Sequence, residues 1–299
     1  MVCLLVGVVS FGAARYLVTS RRASRRAPVM DQGLQKAAAS EVSVTTADGL
    51  RLAGWYVPST NGAAVLAVHG YRSSRAEMTG TALMLHERGY GVLLASTRGH
   101  DASEGEQITF GYREMADLEA WYQYLLTRKD VNPDRIGAIG NSMGGGLVIL
   151  YAARNPRIRA VVSNCGFSSL EDVVNTSVRK LTRLPTIPFA PLIVWSAELQ
   201  TGGRPAHLNA KAAIRKLSPR PVLLMQGGAD DTIPPQSGQW LYDAAGEPKE
   251  LWFDPKVIHC GFEGLRYAEF VERVGGFFDK YLVNGAGPQA SPSRNAGSE

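Results

Sequence analysis

The chain has 299 residues, 45% hydrophobic, 20% charged and 8% aromatic, which excludes a disordered chain, a collagen and a coiled-coil rod. Three cysteines exclude a disulfide framework, and Cys3, Cys165 and Cys260 show no CxxC spacing and no sequence cluster with histidine of the kind that holds zinc. The net charge of +5 sits in Arg15, Arg21, Arg22, Arg25 and Arg26; without them 27 of the 32 Lys+Arg remain against 27 Asp+Glu, so no basic face for nucleic acid is expected.

In chain order, residues 2–14 are almost wholly apolar, and the run continues past Arg15 to Val18. Seventeen residues are the short end of a membrane-spanning helix. The arginine tract that follows favours the cytoplasm for that side. Residues 1–19 are therefore expected to be a membrane anchor with a cytoplasmic catalytic domain, an exported protein being the alternative. A cleaved signal would want a basic residue before the apolar run and a small-residue site after it, and neither is present. Residues 20–40, polar and without periodicity, read as a linker. Residues 284–299, rich in Gly, Pro, Ser and Asn, read as a disordered tail.

Residues 41–283 read as one domain. Alternation at Val42, Val44 and Thr46, a turn at Asp48-Gly49 and a return over residues 52–57 predict a hairpin. Short continuous apolar runs follow at 64–68, 92–95, 136–139, 160–162 and 222–225, as buried parallel strands require. Helical patterns at 78–88, 112–126 and 143–154 separate most of them. The alternation predicts a doubly wound α/β sheet. Residues 168–212, apolar and interrupted by prolines, are too long for a plain connection and read as a helical cap beside the site.

Gly140-Asn141-Ser142-Met143-Gly144 is a G-x-S-x-G pentapeptide between a predicted strand and a predicted helix. That context makes an elbow, which strains the serine so that its hydroxyl stands above the sheet. A serine needs a base, and the base needs an orienting acid. Of five histidines, His259 follows the strand around Leu251 and lies 117 residues after Ser142. It is the candidate base. Asp230 and Asp231, in the loop after strand 222–225, compete as the acid, with Asp254 behind them. An oxyanion hole needs two N–H donors. The backbone N–H groups of Met143 and Tyr71 are the candidates, Tyr71 following the flexible Gly70. His69 is taken as a structural brace for that loop. The Tyr71 ring, and Trp195 in the cap, are candidates for lining the substrate site.

These residues resemble the α/β-hydrolase superfamily. The resemblance rests on His69-Gly70, on the loop Arg98-Gly99-His100-Asp101-Ala102-Ser103 with Asp101 where a glycine is usual, on the elbow, and on the acid loop from Gln226 to Pro234, where Gln226 replaces a usual histidine and where the resemblance implies Asp230, four before Pro234, as the acid in preference to Asp231. Within the superfamily the chain looks most like membrane-anchored bacterial hydrolases of the FrsA-like and serine aminopeptidase-like groups. The resemblance implies a mainly parallel eight-stranded sheet flanked by helices, an antiparallel strand near its start, and acyl-enzyme chemistry with no cofactor and no metal. The expected function is hydrolysis of carboxylic esters by a Ser142–Asp230–His259 triad, on a small-molecule ester or acyl substrate. A peptidase, thioesterase or protein-deacylating enzyme on the same triad is the alternative; a catalytically silent binding domain would show erosion of the site, and none is visible.

Overall fold

The computed structural model describes residues 2–20, 26–182, 185–203 and 209–285. Eight strands form one sheet: β1 (Ser40–Thr45), β2 (Arg51–Val57), β3 (Ala64–Val68), β4 (Gly91–Ala95), β5 (Ile136–Asn141), β6 (Val161–Asn164), β7 (Val222–Gly227) and β8 (Lys249–Asp254). Their order is β1-β2-β4-β3-β5-β6-β7-β8. β2 runs antiparallel to β1 and β4, and every pairing from β4 to β8 is parallel. The expected eight-stranded α/β-hydrolase sheet is what the chain forms.

The helices are α1 (Val2–Val18), α2 (Gln32–Lys36), α3 (Thr79–Glu87), α4 (Glu114–Leu126), α5 (Met143–Ala152), α6 (Leu170–Thr182), α7 (Thr186–Thr201), α8 (Ala210–Ala213) and α9 (Gln236–Ala244), before a helical C-terminal stretch over residues 262–283. The central strands are buried on both faces, so each alternates between two cores. Ala64, Leu66 and Val68 pack with Leu118, Trp121 and Leu147 on one side. Val65 and Ala67 pack with Leu85, Phe262 and Phe278 on the other. This two-period is why β3 reads as an unbroken apolar run.

Two boundaries differ from expectation. The stretch read as a linker holds α2, capped by the Asp31 side chain, which accepts the Leu34 N–H at 2.9 Å. Leu34 is fully buried against the sheet, so the packed domain begins before residue 41. The arginines at 21, 22 and 25 and the tail beyond Gly285 lie outside the described residues.

The apolar N-terminal run is a helix, but it does not stand apart as a separate anchor. It lies along α7, with Ser10, Ala14 and Val18 buried on one stripe at four-residue spacing. Ile108 N–H donates to Val18 O at 2.8 Å and Ser20 N–H to Glu106 O at 2.9 Å, tying its end to the domain. Among the described residues no helix is long and apolar enough to cross a membrane. The expected cap is present as α6 and α7, between β6 and β7.

Candidate active site

β5 delivers Ser142, and the chain turns at once into α5. Ser142 has φ of +53° and ψ of −114°, a backbone that L-residues avoid, and it is 9% exposed. The turn closes only because two neighbours lack a Cβ. One on Gly140 would lie 2.3 Å from the Gly144 carbonyl, and one on Gly144 would lie 2.2 Å from Val68 O.

The loops after β7 and β8 bring the partners. His259 Nε2 is 2.9 Å from Ser142 Oγ, and His259 Nδ1 is 2.8 Å from Asp230 Oδ2. Asp230 is buried, and its other oxygen accepts the N–H groups of Thr232 at 2.8 Å and Ile233 at 2.9 Å. Burial favours its neutral form, but the His259 hydrogen bond and these N–H donors outweigh burial and hold the carboxyl below its usual range. Burial likewise opposes charge on His259, and the Asp230 carboxylate outweighs it, so the imidazole pKa is raised. Asp231 instead points to solvent and pairs with Lys180 at 2.8 Å, and Asp254 pairs with Arg266 at 2.7 Å. Of the three aspartates, only Asp230 faces His259. Gln226 adds its amide Nε2 to Asp230 Oδ2 at 3.3 Å.

The loop after β3 runs beside the serine, with Gly70 packed on Ser142: a Cβ there would lie 3.4 Å from Ser142 Cβ. His69 is fully buried. Its Nε2 accepts the Thr97 N–H at 3.3 Å, so Nδ1 carries the proton and donates to Gly70 O at 2.7 Å. Burial lowers its pKa and keeps it neutral, a brace rather than a base. His100 Nε2 accepts the Arg72 N–H at 3.0 Å, and burial lowers its pKa to about 3. Asp101, at φ of +51°, stands in for the usual glycine because its carboxylate is held by Arg75 Nε at 3.4 Å and by Ser96.

A group absent from the sequence reading joins both loops. Glu77 accepts the Gly70 N–H at 2.9 Å and the Asn141 amide at 3.0 Å, and Asn164 donates to Asn141 Oδ1 at 3.0 Å. Asn141 lies in the elbow motif, but Glu77 sits on the turn before α3 with no pattern to mark it. Met143, the first residue of α5, has no helical carbonyl behind its N–H. Its N–H and the Tyr71 loop flank Ser142, where an oxyanion would form.

A cavity of about 580 Å³ opens on Ser142. Leu170, Val174 and Val178 of α6, Ile193 of α7 and Phe110 line it, and so do Ala13 and Leu17 of α1. Tyr71 lines it too, its ring against Phe110 at 5.3 Å and its hydroxyl donating to Leu17 O at 2.6 Å. Trp195 does not. It follows Ile193 by two residues, about 200° round the helix, so when Ile193 faces the cavity Trp195 faces out, 56% exposed. His207 lies outside the described residues.

Residues 48–215, over half of the chain, match the family described as X-Pro dipeptidyl-peptidase (S15 family). The chain belongs to the X-Pro dipeptidyl-peptidase (S15) family. It is 30% identical over 291 residues to an uncharacterized protein of Mycobacterium tuberculosis, covering 95% of this chain and 96% of that relative. A thiohydrolase of Aspergillus aculeatus is 25% identical over 296 residues, covering 79% and 93%. Among solved structures, a Pyrococcus furiosus esterase superposes with a TM-score of 0.72 at 26% identity, over 88% of this chain and 99% of that one. The α/β-hydrolase superfamily and a hydrolase activity follow from these matches.

Proposed function

We propose that the chain is a serine hydrolase that cleaves carboxylic esters of medium-chain acyl groups. Ser142 Oγ attacks the acyl carbonyl while His259 Nε2 takes its proton. Asp230 fixes the tautomer and stabilises the imidazolium. The N–H groups of Met143 and Tyr71 receive the carbonyl oxygen as it becomes an oxyanion. His259 returns the proton to the leaving alcohol, and water then repeats the sequence on the acyl-enzyme.

The observation that carries the substrate class is the cavity. Its 580 Å³ falls in the range of roughly 300–1,000 Å³ for small-molecule sites, and among the described residues lining it none is charged. A dipeptidyl-peptidase must hold the protonated amine at the end of its substrate, which needs a carboxylate or a ring of acceptors. An aliphatic chain asks only for burial, at about 0.8 kcal/mol per methylene. The name of the Pyrococcus relative supports the ester reading, and that of the Aspergillus relative keeps a thioester within reach of the same triad.

The test is a chain-length series of p-nitrophenyl esters, with X-Pro p-nitroanilides alongside and Ser142→Ala as control. Ester turnover that peaks at a medium chain and falls by about 10⁴-fold or more in the variant is the expected result. Turnover of the anilides but not the esters would instead assign the peptidase activity.

We further propose that the outer side of α1 rests on a membrane surface. Leu5, Val8, Val9 and Phe11 are exposed there, and the nearby arginines suit anionic headgroups.

A further inference from the structure

Cys165 and Cys260 have no part in ester hydrolysis, yet both stand against its base. Cys165 directly follows β6 and Cys260 directly follows His259. The two thiol sulfurs and a ring nitrogen of His259 all lie within 4.8 Å of one another. Cys260 Sγ is 3.8 Å from His259 Nε2, and the Cys260 N–H donates to Cys165 Sγ at 3.4 Å. Both cysteines have left-handed backbones, φ of +50° and +52°, which side chains other than glycine's rarely adopt. Ligand atoms on a tetrahedral zinc ion, with bonds of about 2.0–2.3 Å, stand roughly 3.5–3.8 Å apart. Small side-chain rotations would bring this set to that spacing.

We propose that Cys165, Cys260 and His259 form an inhibitory site for zinc or a similar thiophilic divalent cation. The inference rests on His259 serving Ser142. Two thiolates and one imidazole, with a fourth position left to solvent, are a set that zinc favours. Binding forms two Zn–S bonds and one Zn–N bond and releases the two thiol protons. The nitrogen is the decisive atom. His259 Nδ1–H is committed to Asp230, which leaves Nε2 one lone pair. That lone pair accepts from Ser142 Oγ–H or binds the cation, never both. A bound cation therefore removes the base from the nucleophile without altering the fold. Asp230 then becomes the carboxylate that orients a metal-bound imidazole. The His259 side chain is 24% exposed, so the ion enters from the substrate side.

The experiment titrates zinc and cadmium salts into the full chain with its thiols kept reduced. Cadmium–thiolate charge-transfer absorption reports binding without any substrate. Labelling of Ser142 by a fluorophosphonate reports its activation without any assumption about ester or peptide. The expected result is one cadmium per chain, labelling lost in step with occupancy, and both reversed by a chelator. Cys165→Ala and Cys260→Ala each weaken binding by at least about tenfold to a hundredfold. Ser142→Ala, which keeps all three ligands and removes the competitor for Nε2, binds more tightly than the native chain. That variant decides the matter if the cysteine variants do not fold. Absence of the absorption band, binding that leaves labelling unchanged, equal inhibition in the alanine variants, or no tightening in Ser142→Ala overturns the proposal. Failure to hydrolyse any ester, with cadmium still suppressing labelling, overturns the substrate reading and leaves the cation site standing.

Discussion

Asp230 stays charged although it is buried, because His259, Thr232 and Ile233 all donate to it. That charge has a measurable consequence. On the proposed mechanism the base must be neutral, so kcat/KM rises with pH as His259 loses its proton. With its pKa raised, the midpoint lies above the ordinary 6.5. Asp230→Asn removes the charge and leaves the burial, which opposes protonation; the midpoint then drops below 6.5 while kcat falls by about 10⁴-fold. An unmoved midpoint in the pH profile would assign the limb to another group. Glu77 acts at one remove. It joins the Gly70 N–H to the Asn141 amide, and so fixes the spacing between the Tyr71 loop and the elbow. Glu77→Gln replaces one acceptor with an N–H₂ facing a donor. The expected loss is about 10²-fold in kcat with KM little changed, since the oxyanion forms after substrate binds. A rise in KM at constant kcat would place Glu77 in ground-state binding instead.

The helices that cover the site set its size. α6 supplies more of the wall than any other element, α7 adds Ile193, and α1 closes it beside Tyr71. Ile193 projects from α7 into the cavity and is 8% exposed. Ile193→Trp fills part of that volume. The optimum in an acyl-chain series should move to shorter chains, with the shortest ester turned over as before, because Ser142, His259 and Asp230 are untouched. A uniform fall across the series would mean that the cap had repacked. The expectation for Trp195 went astray on this same scale. Composition marks the cap as apolar, but which side of α7 faces Ser142 depends on how the helix is rotated against α1 and α6. Proline-interrupted sequence carries too little periodicity to say.

At the scale of the molecule, α1 has two sides. One is buried by the domain, and the other exposes Leu5, Val8, Val9 and Phe11. Co-sedimentation with anionic vesicles tests the membrane proposal. The full chain should bind, Leu5→Ser with Val8→Ser should bind several-fold more weakly, and added salt should weaken both. Equal binding by native and substituted chains would assign the interaction to the arginines alone.

The sheet and the order Ser142, Asp230, His259 were legible in the sequence because both depend on local signals. Buried parallel strands must be continuously apolar, and the elbow must carry its small residues. The choice of Asp230 over Asp231 came only from the register with Pro234 that the family resemblance implies. Other meetings of distant segments were not. Nothing in an apolar run at residues 2–18 distinguishes a helix that lies in lipid from one that lies on α7, since both call for the same side chains. Nothing in the sequence joins Glu77 to Asn141. Cys165 and Cys260, 95 positions apart, show no metal-binding spacing, yet the ends of β6 and β8 bring them together beside His259. Sequence carries what a residue needs from its neighbours in the chain, and tertiary structure alone decides which side chains from distant strands share a space.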